Sequence, residues 1–286
     1  MKCEKLADRF VAYAGIRELE AKEGLKEAFN SARVHTYGGV ELLYIAHECA
    51  CLSEKTDEIL AAIRDSGIGV KCISCFADIV KRSGEYAPSK EAIAAVKSCI
   101  DLAGRVGCKY VHHTLLTRLG GGNADYPEAL PVALQAAQEI ACYAKERDVT
   151  ILYEPQGMLF NGLDGYSGFF DEMLKRHDNV GVCLDVGNTL WVDEDCYALT
   201  EKYAHHVKHV HLKDYILDGN DERYRTMSGR TIKEVALGRG IIDLNRVAAI
   251  LKAANYCGCY SIEDNSGSDF KTTAENAAKI LADIFI

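Results

Sequence analysis

Apolar and polar positions alternate along this chain in two rhythms. Short runs rich in β-branched and other apolar residues recur at GVELLYI (39–45), GVKCISCF (69–76), KYVHHTLL (109–116), VTILYEP (149–155), VGVCLDVG (180–187), VKHVHLKD (207–214) and CYSIED (259–264). Between them lie longer segments that are apolar at i, i+3 or i+4: TDEILAAIRDS, SKEAIAAVKSCIDLAGRVG, YPEALPVALQAAQEIACYAKER, GYSGFFDEMLKRH, CYALTEKYAHH and DLNRVAAILKAANY. The first pattern predicts strands and the second helices, several of them preceded by Ser, Thr or Asp as N-caps. Near the start, IRELEAKEGLKEAFNSA predicts the first helix, and RFVAYAG (9–15) before it supplies an eighth strand. Strand-helix alternation predicts a parallel sheet. Eight such units in 286 residues predict one (β/α)8 TIM barrel spanning 1–286, because closure removes the exposed edges that a seven-stranded open sheet would leave. The alternative, an open doubly wound sheet, lacks its phosphate-binding signature: no GxGxxG or GxxxxGK[ST] follows any strand. The glycine run GGGN (120–123) reads as a turn.

Composition narrows the partners. The chain carries 33 Lys and Arg against 42 Asp and Glu, a formal charge of −9. Its cations are scattered, which disfavours nucleic acid, since backbone phosphates need a concentrated cationic surface. The N-terminus MKCEKLADRFVAYAG has no apolar h-region of a secretory signal, and no apolar stretch reaches the roughly 18 residues of a membrane span. These features predict a cytoplasmic protein without a membrane partner, acting on a small polar metabolite. Most of the 12 cysteines sit inside apolar segments, as do Cys72, Cys108, Cys142 and Cys183, where free thiols pack as small hydrophobes. Cys72 and Cys75 have CxxC spacing, but no second pair follows, and the segment reads as a strand.

Candidate chemistry gathers at strand ends. Glu154, Asp185, His211 and Glu263 each follow an apolar run where a barrel strand would open into the active-site mouth. Unpaired buried carboxylates cost several kcal/mol, so three on neighbouring strands call for a cation among them. Three carboxylates and one imidazole suit a single divalent ion, Mn²⁺ foremost, with Mg²⁺, Co²⁺ or Zn²⁺ as alternatives. Separate ion pairs with Lys213 and Arg239 are the structural alternative. Of the adjacent His112 and His113, at most one faces the barrel interior, and His113 is taken as bordering the substrate. Trp191 is a candidate pocket wall. Glu41 is read as a supporting or lower-barrel acid without a catalytic role.

The strings GVEL, LYEP, LDVGN and HLKD, with GRGIIDLNRVAAILKAANYCGCYSIED, resemble the xylose-isomerase-like (AP endonuclease family 2-type) superfamily of sugar epimerases and isomerases. The chain looks most like ketose 3-epimerases and pentulose-5-phosphate 3-epimerases, with inosose dehydratases as near relatives. The resemblance runs from about residue 25 onward and is strongest over 150–264. It implies that Glu154, Asp185, His211 and Glu263 bind the metal and that a ketose or ketose phosphate reacts through a metal-stabilised enediolate. Glu154 and Glu263 would be the acid–base pair on its two faces. Asn188 stands where many relatives carry His and could donate to a substrate oxygen, and Lys213 shares a strand face with His211. The segment 215–240 reads as a long active-site loop rich in Arg (Arg223, Arg225, Arg230, Arg239), with Arg230 and Lys233 as phosphate candidates. The resemblance further implies a homo-oligomer, dimer or tetramer. Competing readings are a lyase or dehydratase on the same fold, including a C-glycoside deglycosidase subunit, and a non-catalytic sugar-binding barrel.

Overall fold

The computed structural model describes residues 6–13, 15–117, 125–219 and 224–285. The GGGN turn and Arg223 lie outside them. The strands in chain order are β1 (Phe10–Ala12), β2 (Gly39–Ile45), β3 (Gly69–Phe76), β4 (Val80–Ser83), β5 (Glu85–Pro88), β6 (Tyr110–His113), β7 (Thr150–Tyr153), β8 (Val180–Asp185), β9 (Val207–Leu212), β10 (Asp214–Leu217), β11 (Ile232–Val235) and β12 (Cys259–Ile262). Eight of these close into a barrel in the order β1-β12-β9-β8-β7-β6-β3-β2, every pair parallel. Short as it is, β1 bonds to β12 on one side and to β2 on the other, and so removes both edges.

The helices are α1 (Ile16–Glu23), α2 (Leu25–Val34), α3 (Leu52–Ser66), α4 (Lys90–Val106), α5 (Tyr126–Lys145), α6 (Gly162–Leu174), α7 (Tyr197–Tyr203), α8 (Leu244–Ala253) and α9 (Phe270–Phe285). The expected first helix is two. Gly24 takes φ 87°, a left-handed value that an α-helix cannot contain, so the chain turns there between α1 and α2. Caps match the sequence signals: Ser89 accepts from Ala92 N at 3.3 Å at α4, and Asp243 from Arg246 N at 3.1 Å at α8. Helix α9 follows the last strand and was not among the sequence expectations. Its Phe270 sets its ring 5.7 Å from Tyr37 and 5.8 Å from His35, packing the C-terminal helix beside the α2–β2 connection.

Two layers of side chains follow from strand alternation. Outward residues meet the helices, as in the aromatic group of Tyr153, Tyr166, Phe169, Phe170 and Tyr203, all buried. Inward residues include a small apolar plug of Cys72, Leu152 and Cys183 and, unusually for a core, several polar groups. No helix among the described residues is long and apolar enough to cross a membrane. Cys72, Cys108 and Cys183 are buried as expected, whereas Cys142 is exposed on α5, because its place in the helical period turns it to the outer face.

The described residues of segment 215–240 carry regular structure. The segment contains β10 and β11, an antiparallel hairpin with Asp214 opposite Val235 and Leu217 opposite Ile232. Asp214 ties this hairpin to the GRG segment: its carboxylate accepts from the backbone N of Gly238 (3.0 Å), Gly240 (2.7 Å) and Ile242 (3.2 Å). A Cβ at residue 240 would collide with that carboxylate, so the close approach requires glycine. The Asp of HLKD and the second Gly of GRG are thus two halves of one joint.

Candidate metal centre and active site

Each of the four strand-end residues lies at or just past the C-terminal end of its strand: Glu154 after β7, Asp185 closing β8, His211 in β9 and Glu263 after β12. Register aligns them, with Asp185 opposite His211 and Ser261 opposite His211. One donor atom from each of the four lies within 4.8 Å of the others. His211 is the hub. Its Nδ1 stands 3.0 Å from Glu154 Oε1 and 3.1 Å from Glu263 Oε2, and its ring stacks on Tyr13 at 5.0 Å.

The opposite nitrogen of His211 explains the buried polar floor of the barrel. Nε2 contacts Glu41 Oε1 at 3.1 Å, across the interior from β9 to β2. Glu41 is fully buried and also engages Ser74 Oγ (2.6 Å), His209 Nε2 (2.8 Å) and Ser261 Oγ. Burial alone would raise its carboxyl; His211 and His209 outweigh that and hold it well below its ordinary range. A carboxylate on one imidazole nitrogen fixes the ring and leaves the other nitrogen for a metal. Glu41 is therefore a support of the centre that the sequence only hinted at.

One buried cation offsets part of the negative charge of the cluster. Lys213 Nζ bridges Asp185 Oδ2 and Glu263 Oε1, each at 2.8 Å, and approaches Asn188 Oδ1 at 3.4 Å. Of the two cations considered as separate ion-pair partners, Lys213 is at the centre and Arg239 is exposed. Asp185 Oδ1 accepts from the backbone N of Gly187 and Asn188, both at 2.8 Å, whereas Oδ2 has no well-directed hydrogen-bond donor although Lys213 is near. Burial opposes charge on Lys213 and on His211, but the surrounding acids hold both well above their ordinary values, joined for His211 by the Cys183 sulfur. The two glutamates diverge. Burial pushes Glu154 up, while for Glu263 the same penalty is overcome by Lys213 and His211, which hold it down.

This donor set fits a divalent cation. Three carboxylates and an imidazole nitrogen converge on one point, Asp185 Oδ2 lacks a directed donor, and Glu41 holds the imidazole from behind; Glu154, Asp185, His211 and Glu263 would be the ligands.

Above the centre opens a cavity of about 700 Å³, lined by Lys213, Glu263, Asn188, Trp191, Tyr215 and Phe76 among others. Trp191 forms part of its wall, edge-on to Tyr215 and Tyr224. Asn188 lines the cavity with Nδ2 unpartnered, a donor available to a ligand oxygen. Two expected contacts lie elsewhere. His113 points away from the barrel interior, with Nδ1 3.0 Å from Thr114 O and its ring edge-on to Tyr153, while His112 turns inward to Ser74 (3.0 Å) and to within 3.5 Å of Glu154 Oε2. The parity follows from the sheet register, which sets His112 opposite Ser74. Burial lowers the imidazole of His112 to about 3, so it is neutral beside Glu154. Arg230 is exposed and committed to Asp218 at 2.6 Å, and the basic residue that the hairpin brings to the cavity is Lys233.

The family profile described as "Xylose isomerase-like TIM barrel" matches residues 30–284. The chain belongs to this family. As a xylose isomerase-like barrel it is 24% identical over 234 residues to the L-ribulose-5-phosphate 3-epimerase UlaE of Salmonella typhi, covering 78% of this chain and 72% of that relative. Among solved structures, the barrel resembles a xylose isomerase-like TIM barrel protein from Mycobacterium smegmatis in complex with magnesium, with TM-score 0.75, 16% identity and coverage of 99% of this chain and 98% of that one. It also resembles the apo form of the 3-keto-D-glucoside 4-epimerase YcjR from E. coli, with TM-score 0.72, 16% identity and coverage of 96% and 99%.

Proposed function

We propose that this barrel is a divalent-metal-dependent epimerase that inverts the carbon beside the ketone of a ketose or ketose phosphate. The observation that carries the reading is the convergence of two carboxylates on one imidazole nitrogen from two non-adjacent strands. Glu154, after β7, and Glu263, after β12, reach His211 Nδ1 at 3.0 and 3.1 Å, with β8 and β9 between their strands. Inversion at a carbon acid needs two such groups, one to take a proton and another to give one.

When bound to these ligands, a divalent ion, Mn²⁺ foremost, supplies the positive charge that acidifies the C–H between a ketone and a hydroxyl. Glu263 removes the proton, and Lys213, 2.8 Å from its Oε1, favours the ionised carboxylate that does so. Glu154 delivers a proton from the other side, and in the reverse direction the two exchange roles. Lys213 Nζ and Asn188 Nδ2 donate to substrate oxygens, and Trp191, Phe76 and Tyr215 keep water from the reacting carbon. UlaE, whose name specifies a pentulose phosphate, indicates where to begin, and Lys233 at the cavity rim suits a phosphate.

The test is to load the protein with Mn²⁺ and offer ketopentoses and ketohexoses, free and terminally phosphorylated, following products by NMR. Accumulation of the epimer at the carbon beside the ketone supports the reading. Loss of water from the substrate, or no conversion of any ketose by fully loaded protein, contradicts it.

A further inference from the structure

A second group of metal-ligand side chains lies on the opposite side of the barrel wall. Cys49 comes from the 3-10 turn Ala46–Cys51 that follows β2, Cys75 from β3 and Cys99 from α4. Strand alternation separates this group from the catalytic floor: Ser74 faces inward to Glu41, so its neighbour Cys75 faces the helices. All three thiols are free and buried. Cys49 Sγ lies 3.7 Å from Cys75 Sγ and 3.7 Å from Cys99 Sγ, and the three sulfurs are within 4.8 Å of one another. Their segments are distant in sequence, so only the folded chain assembles them.

The spacing is informative. A disulfide needs sulfurs about 2.0 Å apart, and three thiols cannot all pair. Tetrahedral zinc–thiolate bonds of about 2.3 Å set neighbouring sulfurs about 3.8 Å apart, close to the separations around Cys49. Tyr44 is buried in the same layer with its hydroxyl unpartnered. A cavity of about 80 Å³ lined by Cys49, Thr56, Ser98 and Arg105 provides access from the α3–α4 side.

We propose that Cys49, Cys75 and Cys99 form a second cation site, for a thiophilic ion of the Zn²⁺ class, distinct from the carboxylate–imidazole centre. Soft thiolates select such ions, whereas the oxygen-rich centre at the barrel mouth suits harder ones, so one chain would sort two metals by ligand type. Each thiol that binds releases its proton to solvent. The site would staple β3, α4 and the turn after β2.

Reduced, metal-free full-length protein titrated with Co²⁺, as a spectroscopic substitute for Zn²⁺, tests this. A sulfur-to-cobalt charge-transfer band is expected to grow to one equivalent and to be displaced by Zn²⁺. Cys99→Ala should lose the band and one of two bound equivalents. Cys183→Ala should keep both, a necessary control because Cys183 adjoins Glu154 and His211. Cys49→Ser, whose residue borders the cavity, repeats the test if Cys99→Ala fails to fold. Absence of the band in reduced protein, or a band that survives Cys99→Ala and disappears in Cys183→Ala, overturns the proposal.

Discussion

At the scale of single residues, three of the four proposed ligands are each held by a partner. Glu41 keeps His211, Lys213 keeps Glu263, and two backbone amides keep one oxygen of Asp185. Glu41→Gln removes the charge that holds the His211 ring and presents an amide donor where His209 and Ser261 now find an acceptor. We expect Mn²⁺ affinity measured by calorimetry to fall roughly 10–100-fold; unchanged affinity would show that Glu41 does not position the ligand. A second pair of variants separates holding from reacting. His211→Ala should lose metal and activity together, whereas Glu263→Gln should lose most activity while retaining more metal, read as bound ion per chain against turnover. Equal losses of both in Glu263→Gln would remove its assignment as a proton carrier. The four strand-end residues that the fold brings together were legible in the sequence because each ends an apolar run, where no solvated-surface reading applies. Glu41 was legible only as a supporting or lower-barrel acid, because its partners His209 and Ser261 lie 168 and 220 residues away along the chain. Nor could the sequence decide between His112 and His113, since KYVHHTLL is apolar on both sides and only pairing with β3 sets its parity.

At the scale of elements, the hairpin β10–β11 forms part of the cavity wall. It brings Ile232, Lys233 and Glu234 to the cavity. Its strands are four residues each and dense in charge, which is why DYIL and IKEV carried no strand signal against the longer barrel runs. Glu234 accepts from the backbone N of Asn265 at 2.6 Å, yet burial pushes its carboxyl from the ordinary 4.5 up to about 7. In that interval the unfolded chain has already released the proton while the folded chain keeps it, so rising pH favours unfolding. Stability should therefore decline between about pH 4.5 and pH 7, and Glu234→Gln should make that decline shallower, measured as urea midpoints of the two metal-free proteins across that range. Equal slopes would mean that the hairpin does not desolvate this carboxyl. Similar reasoning explains the split of the expected first helix: the apolar period continues through residue 24, but a glycine at φ 87° overrides it.

At the scale of the whole molecule, closure of the barrel places the chemistry. Parallel strands bring all their C-terminal ends to one mouth, and residues 154, 185, 211 and 263 meet there although they span more than a third of the chain. Alternating strands and helices made this architecture readable from the sequence despite a first strand only three residues long. What the alternation could not convey was the interior, where a polar floor replaces apolar filling beneath the centre. That floor lets a carboxylate network reach from β2 to β9 and fixes one imidazole between two glutamates. The central claim is that those two glutamates exchange a proton with the carbon beside a ketone. Incubation of Mn²⁺-loaded protein with a ketose substrate in D₂O, followed by NMR, tests it most directly: we predict solvent deuterium at the inverted carbon in both epimers, with exchange lost in Glu154→Gln and Glu263→Gln. Epimer formation without deuterium uptake, or exchange that persists in both variants, would contradict the account.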